Sequence, residues 1–471
     1  MINHSPPFPL VLDYGPRRLE TWTAEDEDRC LFALQHLQRA SEIVLSAPES
    51  TLRILTAAIL EEAPRLEHLS LHSQTAELVL PNQFLDGGAP RLRVLTLTGV
   101  SLATLHPLLP SATSLRTLAL ERIPSSAYFS PDRLVSQIRT MTQLQTLSIS
   151  FLSTVPRPGF RNERFLPWGQ LTRVELPALT QLIYRGVSAY VEALLTRIQT
   201  PLIQDVEITL FHQLTLGVPR TSAFLSQLET FRPTRARIDL SEASTHVIVS
   251  ALQPTDSPDI ALSVSCAQLD FQVSAMAQIC NGLPGALLLV EDLSLGFHQG
   301  KMPEEWRDEV DPALWRALLT LFRRVGTLRV HVALASDLER ALRLQTDGVV
   351  GPHIGQGLDL LLPDLHTLVL LHGSDKHTLT AASDALSGFV EERGHTGHPI
   401  KVESQDLSKL WKRTRLVSLM LLSLEELALT HASSETRLPW RNSPLNQPRA
   451  VLHSSRSCVA PLHIISVYPA Q

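Results

Sequence analysis

The sequence predicts an α/β repeat fold, a right-handed leucine-rich-repeat-like solenoid with a curved parallel sheet on its concave face and helices on its convex face. Three observations carry this prediction. A hexamer of the form L-x-x-L-x-L recurs along the chain, segments with helical periodicity lie between its copies, and each such segment leads into another hexamer. Strands and helices that alternate in the same sense form a parallel sheet with right-handed crossovers.

The hexamer occurs in ten copies, two of which are "LRVLTL" at 92–97 and "LRTLAL" at 115–120. Successive starts among the first six copies lie 23 to 35 residues apart, close to the 20–29 residues of leucine-rich repeats with some longer insertions. The first apolar residues of the ten copies are Leu66, Leu92, Leu115, Leu144, Leu179, Ile203, Val290, Val325, Leu365 and Leu424. The alternative is a set of ordinary buried strands in an unrelated α/β fold, because apolar runs alone do not fix topology.

Three segments between the hexamers are predicted to be helices. In 130–141, Ser130 is a suitable N-cap, Pro131 stands in the first turn, and the apolar residues share one face. The segments 187–201 and 311–325 place apolar residues at i, i+3, i+4 and i+7.

A further helix is predicted over 24–40, directly before the first strand-like stretch, "SEIVLSA". We expect it to cover the first edge of the solenoid, where strand backbone and apolar surface would otherwise be open. Its apolar residues are Cys30, Leu31, Ala33, Leu34 and Leu37.

Residues that alternate with the apolar positions of the strands are predicted to line the concave face. They are small or polar and carry both charge signs, which suits a protein-binding surface without a predominant charge. The alternative is that they form a solvated strand face. These candidates are His68, Ser70, His72, Thr96, Thr98, Thr117, Glu121, Arg122, Thr146, Arg185, Asp205, Glu207, Arg329 and His331.

Composition excludes several classes of protein. The chain has 471 residues, of which 44% are hydrophobic and 19% charged, a normal globular composition. A net charge of −6 and the lack of a basic stripe argue against nucleic-acid binding. The four cysteines form no C-x-x-C pair, which favours an intracellular location, cytoplasmic or nuclear. No secretory signal and no apolar run of membrane-spanning length is present.

Enzymatic signatures are weak, and no enzyme, cofactor or metal is predicted. "GFHQGKM" at 296–302 is one residue short of a phosphate-binding loop, and "GVVGPHIGQG" at 348–357 is not a dinucleotide-binding motif. The histidine pairs at 372 and 377 and at 395 and 398 lack a third ligand. A hydrolase or nucleotide-binding protein on an unrecognised α/β fold is the alternative to an interaction module.

Several stretches, in order, resemble basidiomycete fungal F-box proteins with irregular leucine-rich repeats. They include "IPSSAYFSPDRLVSQIRTMTQLQTLSISFLS", "LPALTQLIYRGVSAYVEALLTRIQTPLIQDVEITLFHQLT", "VEDLSL", "WRDEVDPALWRALLTLFRRV" and "GFVEERGHTGHPIKV". The resemblance covers roughly residues 10–401. It implies substrate-receptor subunits of cullin–RING ubiquitin ligases, in which an F-box binds the ligase adaptor and the repeats select an as yet unknown protein target.

The sequence departs from that family at both ends. Only a handful of residues precede "PFPLVLDYG", so no F-box is visible, and we expect residues 1–471 not to bind the adaptor. The repeat domain is predicted to span 1–401. Residues 402–471 are predicted to be a partly disordered extension, because 436–471 lack apolar periodicity, contain four arginines and no acidic residue, and are rich in Pro and Ser. The segment 407–429 is apolar enough to form a terminal cap.

Overall fold

A computed structural model describes residues 9–14, 22–73, 75, 78–102, 107–152, 173–211, 213, 216–227, 233–241, 244–250, 259–266, 268–297, 310–343, 361–373 and 376–407. Fifteen strands of these ranges form one sheet, and two further strand pairs lie beside it. In chain order the strands are β1 (Leu10–Tyr14), β2 (Ala40–Ala47), β3 (His68–Ser73), β4 (Leu78–Val79), β5 (Val94–Thr98), β6 (Val100–Ser101), β7 (Thr117–Ile123), β8 (Thr146–Phe151), β9 (Val174–Glu175), β10 (Gln181–Gly186), β11 (Ile198–Gln199), β12 (Asp205–Phe211), β13 (Arg235–Leu240), β14 (Ser244–Ser250), β15 (Asp259–Ser265), β16 (Asp292–Phe297), β17 (Thr327–His331), β18 (Thr367–His372) and β19 (Lys401–Asp406).

The helices form a row along one side of the sheet, and most neighbours in the row contact one another. They are α1 (Ala24–Leu34), α2 (Glu49–Ala58), α3 (Leu108–Ser111), α4 (Pro131–Ile138), α5 (Ser188–Leu195), α6 (Pro219–Ser226), α7 (Leu269–Asn281), α8 (Pro284–Leu287), α9 (Pro312–Leu319), α10 (Ala335–Leu342) and α11 (Lys376–His395). A single hydrophobic core lies between these helices and the sheet. We call the two sides of the sheet the helix side and the open face. A doubly wound sheet would have helices on both sides, and those of the described residues lie on one.

The predicted hexamers become strands with a constant offset. Each of the nine copies from Leu66 to Leu365 is followed, two residues after its first apolar residue, by the first residue of a strand of the large sheet. The second and third apolar residues point to the helix side; Leu118 and Leu147, for example, are adjacent in register and fully buried. The prediction of buried strands running in one direction in one sheet is confirmed for these copies. The tenth copy, at Leu424, lies outside the described residues.

The sheet is mostly parallel, and β14 is the exception among the described strands. The sheet order is β1-β2-β3-β5-β7-β8-β10-β12-β15-β14-β13-β16-β17-β18-β19, with β14 antiparallel to both β13 and β15. The expectation of an entirely parallel sheet was therefore wrong here. Only three residues, 241–243, separate β13 from β14, and a parallel connection needs a dozen or more. The short connection forces a hairpin.

The predicted helices lie where their periodicity placed them. Ser130 caps α4 by accepting a hydrogen bond from the backbone N–H of Arg133, and α5 ends before Pro201. Asp311 caps α9 by accepting from the N–H of Ala313.

The N-terminal helix α1 packs into the core at the first end of the sheet. The free edge expected beside "SEIVLSA" is instead paired with β1, which precedes α1 in the chain and is the edge strand. Cys30, Ala33, Leu34 and Leu37 are buried in the core, and Leu31 packs against it. A capping box at Thr23 and Asp26 fixes the start of this helix. The apolar face of α1 is therefore used inside the repeat fold.

Candidate functional site

The open face of the sheet contains thirteen of the fourteen candidate binding residues. Parallel register aligns them in three rows that run across the strands. The first row contains His68, Thr117, Thr146 and Asp205, the second contains Ser70, Thr96, Glu207 and Arg329, and the third contains His72, Thr98, Glu121, Arg185 and His331. Asp205 and Glu207 are exposed, Thr98 is buried, and the others are partly buried. The sequence pattern thus identified one continuous surface.

The remaining candidate, Arg122, lies at an irregularity of β7. The register between β7 and β8 shifts between Leu120 and Ile123, and Arg122 has a φ of 53°. An extra residue of this kind forms a bulge and redirects the side chain. Burial lowers the pKa of His72 below its ordinary value, and the positive charge of Arg122 lowers it further. Arg122 therefore acts electrostatically on the same face.

Polar side chains on the first strands of the open face bind one another. The Thr98 hydroxyl donates a hydrogen bond to the Glu121 carboxylate at 3.0 Å. His68 Nδ1 lies 3.3 Å from the Glu42 carboxylate. These contacts join neighbouring strands and hold the polar groups in fixed positions.

A second polar network spans the last strands. The Arg329 guanidinium makes a two-pronged contact with the Asp292 carboxylate, its Nε and Nη2 each 3.0 Å from an oxygen, and its Nη1 donates to Gln405 at 3.2 Å. The contact links β16, β17 and β19. Paired guanidinium and carboxylate groups have a defined geometry that a partner protein can recognise.

Asp239 on β13 is the most buried carboxylate on the open face, with 4% of its side chain exposed. Its Oδ2 lies 2.5 Å from Arg237 Nε and 3.3 Å from His246 Nε2. Burial acts to raise the pKa of Asp239, but the hydrogen bond from His246 and the charge of Arg237 outweigh it and hold the pKa below its ordinary value. The carboxylate is therefore ionised at neutral pH.

Sequence reasoning missed Asp239, Arg237 and His246 because their strands do not carry the hexamer. The stretches "RARIDL", "STHVIVS" and "DIALSVS" form β13, β14 and β15. A signal was present on β13, since Ala236, Ile238 and Leu240 alternate with charged residues in the period of two that marks a strand.

The described ranges contain neither a candidate metal site nor a candidate membrane span. No group of three or more His, Cys, Asp or Glu there could hold a metal ion. No helix of the described part is long and apolar enough to cross a bilayer. Of the two glycine-rich loops, Gly296 and Phe297 belong to β16, while 298–302 and 348–357 lie outside the described residues.

Comparisons with known proteins give likenesses to solved structures alone. No protein-family model matches the sequence, and no curated protein matches it. Among solved structures, the chain is similar to the leucine-rich repeat-containing protein LegL7 from Legionella pneumophila, with 10% sequence identity and a TM-score of 0.26. The match covers 81% of this chain and 97% of that one. The repeat fold described above rests on this chain's own strand order and register.

Proposed function

We propose that this chain is a non-enzymatic protein-interaction module that binds a protein target on the open face of its sheet. In this proposal the solenoid is right-handed, because strand–helix–strand crossovers in one sheet are right-handed in nearly all proteins, and the open face is its concave side. The target would lie across several strands and contact all three rows of polar side chains.

The observation that carries the proposal is the three-row polar surface itself. It extends across neighbouring strands from β3 to β17, and no described helix packs on it. Its charged groups are held in pairs, such as Arg329 with Asp292 and Arg237 with Asp239, so binding would not require their ordering. Pre-ordered side chains reduce the entropy lost on binding.

The finer proposal is a target-recognition role like that of the fungal F-box proteins that the sequence resembles, in an intracellular setting. In those proteins the repeats select the target and a separate F-box binds the adaptor. Helix α1 packs Cys30, Ala33 and Leu34 against the core, so these residues are not available to an adaptor. We therefore propose that residues 1–471 bind the target without binding the ligase adaptor directly.

The test is a quantitative pull-down from fungal extract with open-face and control variants. Ser70→Arg combined with Thr96→Arg adds two large charged side chains at adjacent positions of the second row. The control, Arg53→Glu, changes charge on the helix side, where the Arg53 side chain is 68% exposed. We expect the same set of proteins to bind the wild type and the control and to be lost from the double variant.

Retention of the whole set by the double variant, with its thermal midpoint unchanged, would contradict the proposal. Loss of the set from the Arg53→Glu control would point to the helix side instead. Stoichiometric recovery of a ligase adaptor with the purified chain would contradict the finer proposal alone.

A further inference from the structure

The last strand of the large sheet, β19, is unlike the strands that precede it. Lys401, Val402, Glu403 and Ser404 are all exposed, and Val402, which points to the helix side, is 44% exposed. The equivalent positions on the neighbouring β18 and β17 are Leu368 and Leu328, both fully buried. The described residues of the core therefore do not cover the helix side of β19.

The opposite end of the sheet is closed. On β1, Leu10 and Leu12 are each 5% exposed, although β1 is also an edge strand. Helix α1 packs over this end, and Trp22 donates a hydrogen bond to the Ser46 carbonyl. Repeat folds need such a cap at each end, because a terminal repeat otherwise exposes its apolar interface and its unpaired backbone.

We propose that the segment 408–430 of the same chain docks on β19, with residues 426–430 adding a parallel strand at its free edge. This segment follows β19 directly and contains the tenth hexamer, whose apolar residues are Leu424, Leu427 and Leu429. The preceding residues of the segment would then cover the helix side of β19, where Val402 is exposed.

The sequence spacing fixes the register. A strand starts two residues after the first apolar residue in each of the nine described copies, so the added strand starts at Glu426. The first residues of neighbouring strands are aligned, as Thr367 is with Lys401. Glu426 then lies opposite Lys401, Leu427 opposite Val402, and Ala428 opposite Glu403. The first pair has opposite charges and the second is apolar, both of which stabilise adjacent strands.

The connection also has the right length. From the end of β19 at Asp406 to Glu426 there are 20 positions along the chain. The corresponding spacings are 19 from β5 to β7, 23 from β7 to β8 and 19 from β10 to β12. Each of these connections brings the chain back to the next place in the sheet.

A second copy of the chain is the alternative occupant of this edge. Two antiparallel β19 strands centred on Val402 would place Val402 opposite Val402 and Lys401 opposite Glu403, an apolar pair and pairs of opposite charge. The segment 408–430 has the advantage that it is joined to β19 in the same chain, which gives it a high effective concentration at this edge. We therefore assign the edge to this segment, and disulfide pairing distinguishes it from a second copy.

Disulfide formation in the full-length chain tests the register. Glu403→Cys with Ala428→Cys places two cysteines side by side on the open face, at the roughly 4.8 Å spacing of neighbouring strands, within the range that a disulfide bridges. The control pair, Glu403→Cys with Leu427→Cys, points to opposite sides. Cys458 is replaced by Ser in both, while Cys30, Cys266 and Cys280 are buried and remain.

Mild oxidation should give an intramolecular 403–428 disulfide, identified by mass spectrometry of the non-reduced digest, at least ten times more abundant than the 403–427 disulfide. Equal yields, or no disulfide in either variant, would overturn the docking of this segment. A disulfide-linked dimer would assign the edge to a second copy.

Hydrogen exchange gives an independent measurement. Leu427→Asp should increase the exchange rate of the β19 amides at least tenfold, whereas Ala428→Ser on the open face should leave it unchanged. Unchanged exchange in Leu427→Asp would mean that the segment does not protect β19 and would overturn the proposal.

Discussion

Asp239 shows how a single residue constrains its neighbour on the next strand. Its carboxylate lies over Gly296 of β16, which is directly aligned with it. A Cβ atom at position 296 would lie 1.9 Å from Asp239 Oδ1, far inside van der Waals contact. Glycine at this position therefore allows the Asp239 carboxylate to stay buried against the sheet while it pairs with the exposed Arg237.

Gly296→Ala should displace the Asp239 side chain and lower the free energy of unfolding by about 1–3 kcal/mol, the usual cost of overfilling a packed site. Denaturant titration followed by circular dichroism measures this change. Gly373→Ala is the control, because no atom lies within 4 Å of a Cβ atom added there. Equal stability of the two variants would show that Asp239 moves aside without cost.

His331 is a second residue with a measurable consequence. Burial lowers its pKa below the ordinary value of 6.5, although the charge of Asp239 acts in the opposite direction. Its Nδ1 accepts a hydrogen bond from the backbone N–H of Ala333 at 3.3 Å, which requires the unprotonated nitrogen. The folded protein therefore binds this proton more weakly than the unfolded chain does.

The stability that His331 contributes is complete above pH 6.5, the ordinary pKa of histidine. It is lost as the pH falls through the lowered pKa of His331 in the folded protein. His331→Asn retains an acceptor for Ala333 but cannot titrate. As the pH falls below 6.5, we expect the free energy of unfolding of this variant to decrease less steeply than that of the wild type. The exposed His395 provides a control, and a His331→Asn slope equal to that of His395→Asn would contradict the prediction.

At the scale of single elements, the strands with the hexamer could be predicted and those without it could not. Leucine at fixed spacing gives both the strand and its buried side, because side chains of a strand alternate between two faces. The strand β13, with its "RARIDL", and the hairpin to β14 have the alternation without the leucines. Their place in the sheet depends on the short connection and on pairing with distant strands, which local sequence does not encode.

The hexamer leucines should be the main source of stability of each element. Leu118→Ala or Leu147→Ala removes a fully buried side chain and should lower the free energy of unfolding by about 2–5 kcal/mol through the cavity that remains. Leu202→Ala, at a leucine that is 57% exposed, is the matched control and should cost well under half as much. Comparable losses in all three variants would contradict the predicted burial.

At the scale of the whole molecule, the chain is a one-dimensional series in which most strands contact only their neighbours. Alternation along the strands was enough to predict that His68, Thr96 and Arg329 share one face. The partners of these residues could not be predicted, because Asp292 pairs with Arg329 across strands whose order is set by the complete sheet. The inversion at β13–β15 is the one described place where sheet order departs from chain order.

This linear arrangement predicts how a local defect spreads. Leu147 lies on β8, whose neighbours in the sheet are β7 and β10. In a repeat array, stability is the sum of the repeats and of the interfaces between neighbours, so a cavity at Leu147 weakens the nearest strands most. Hydrogen exchange with mass spectrometry should show the largest increase in Leu147→Ala at β7, β8 and β10 and the smallest at β17 and β18. An increase of the same size in all strands would show that the sheet opens as one cooperative unit, contrary to the prediction.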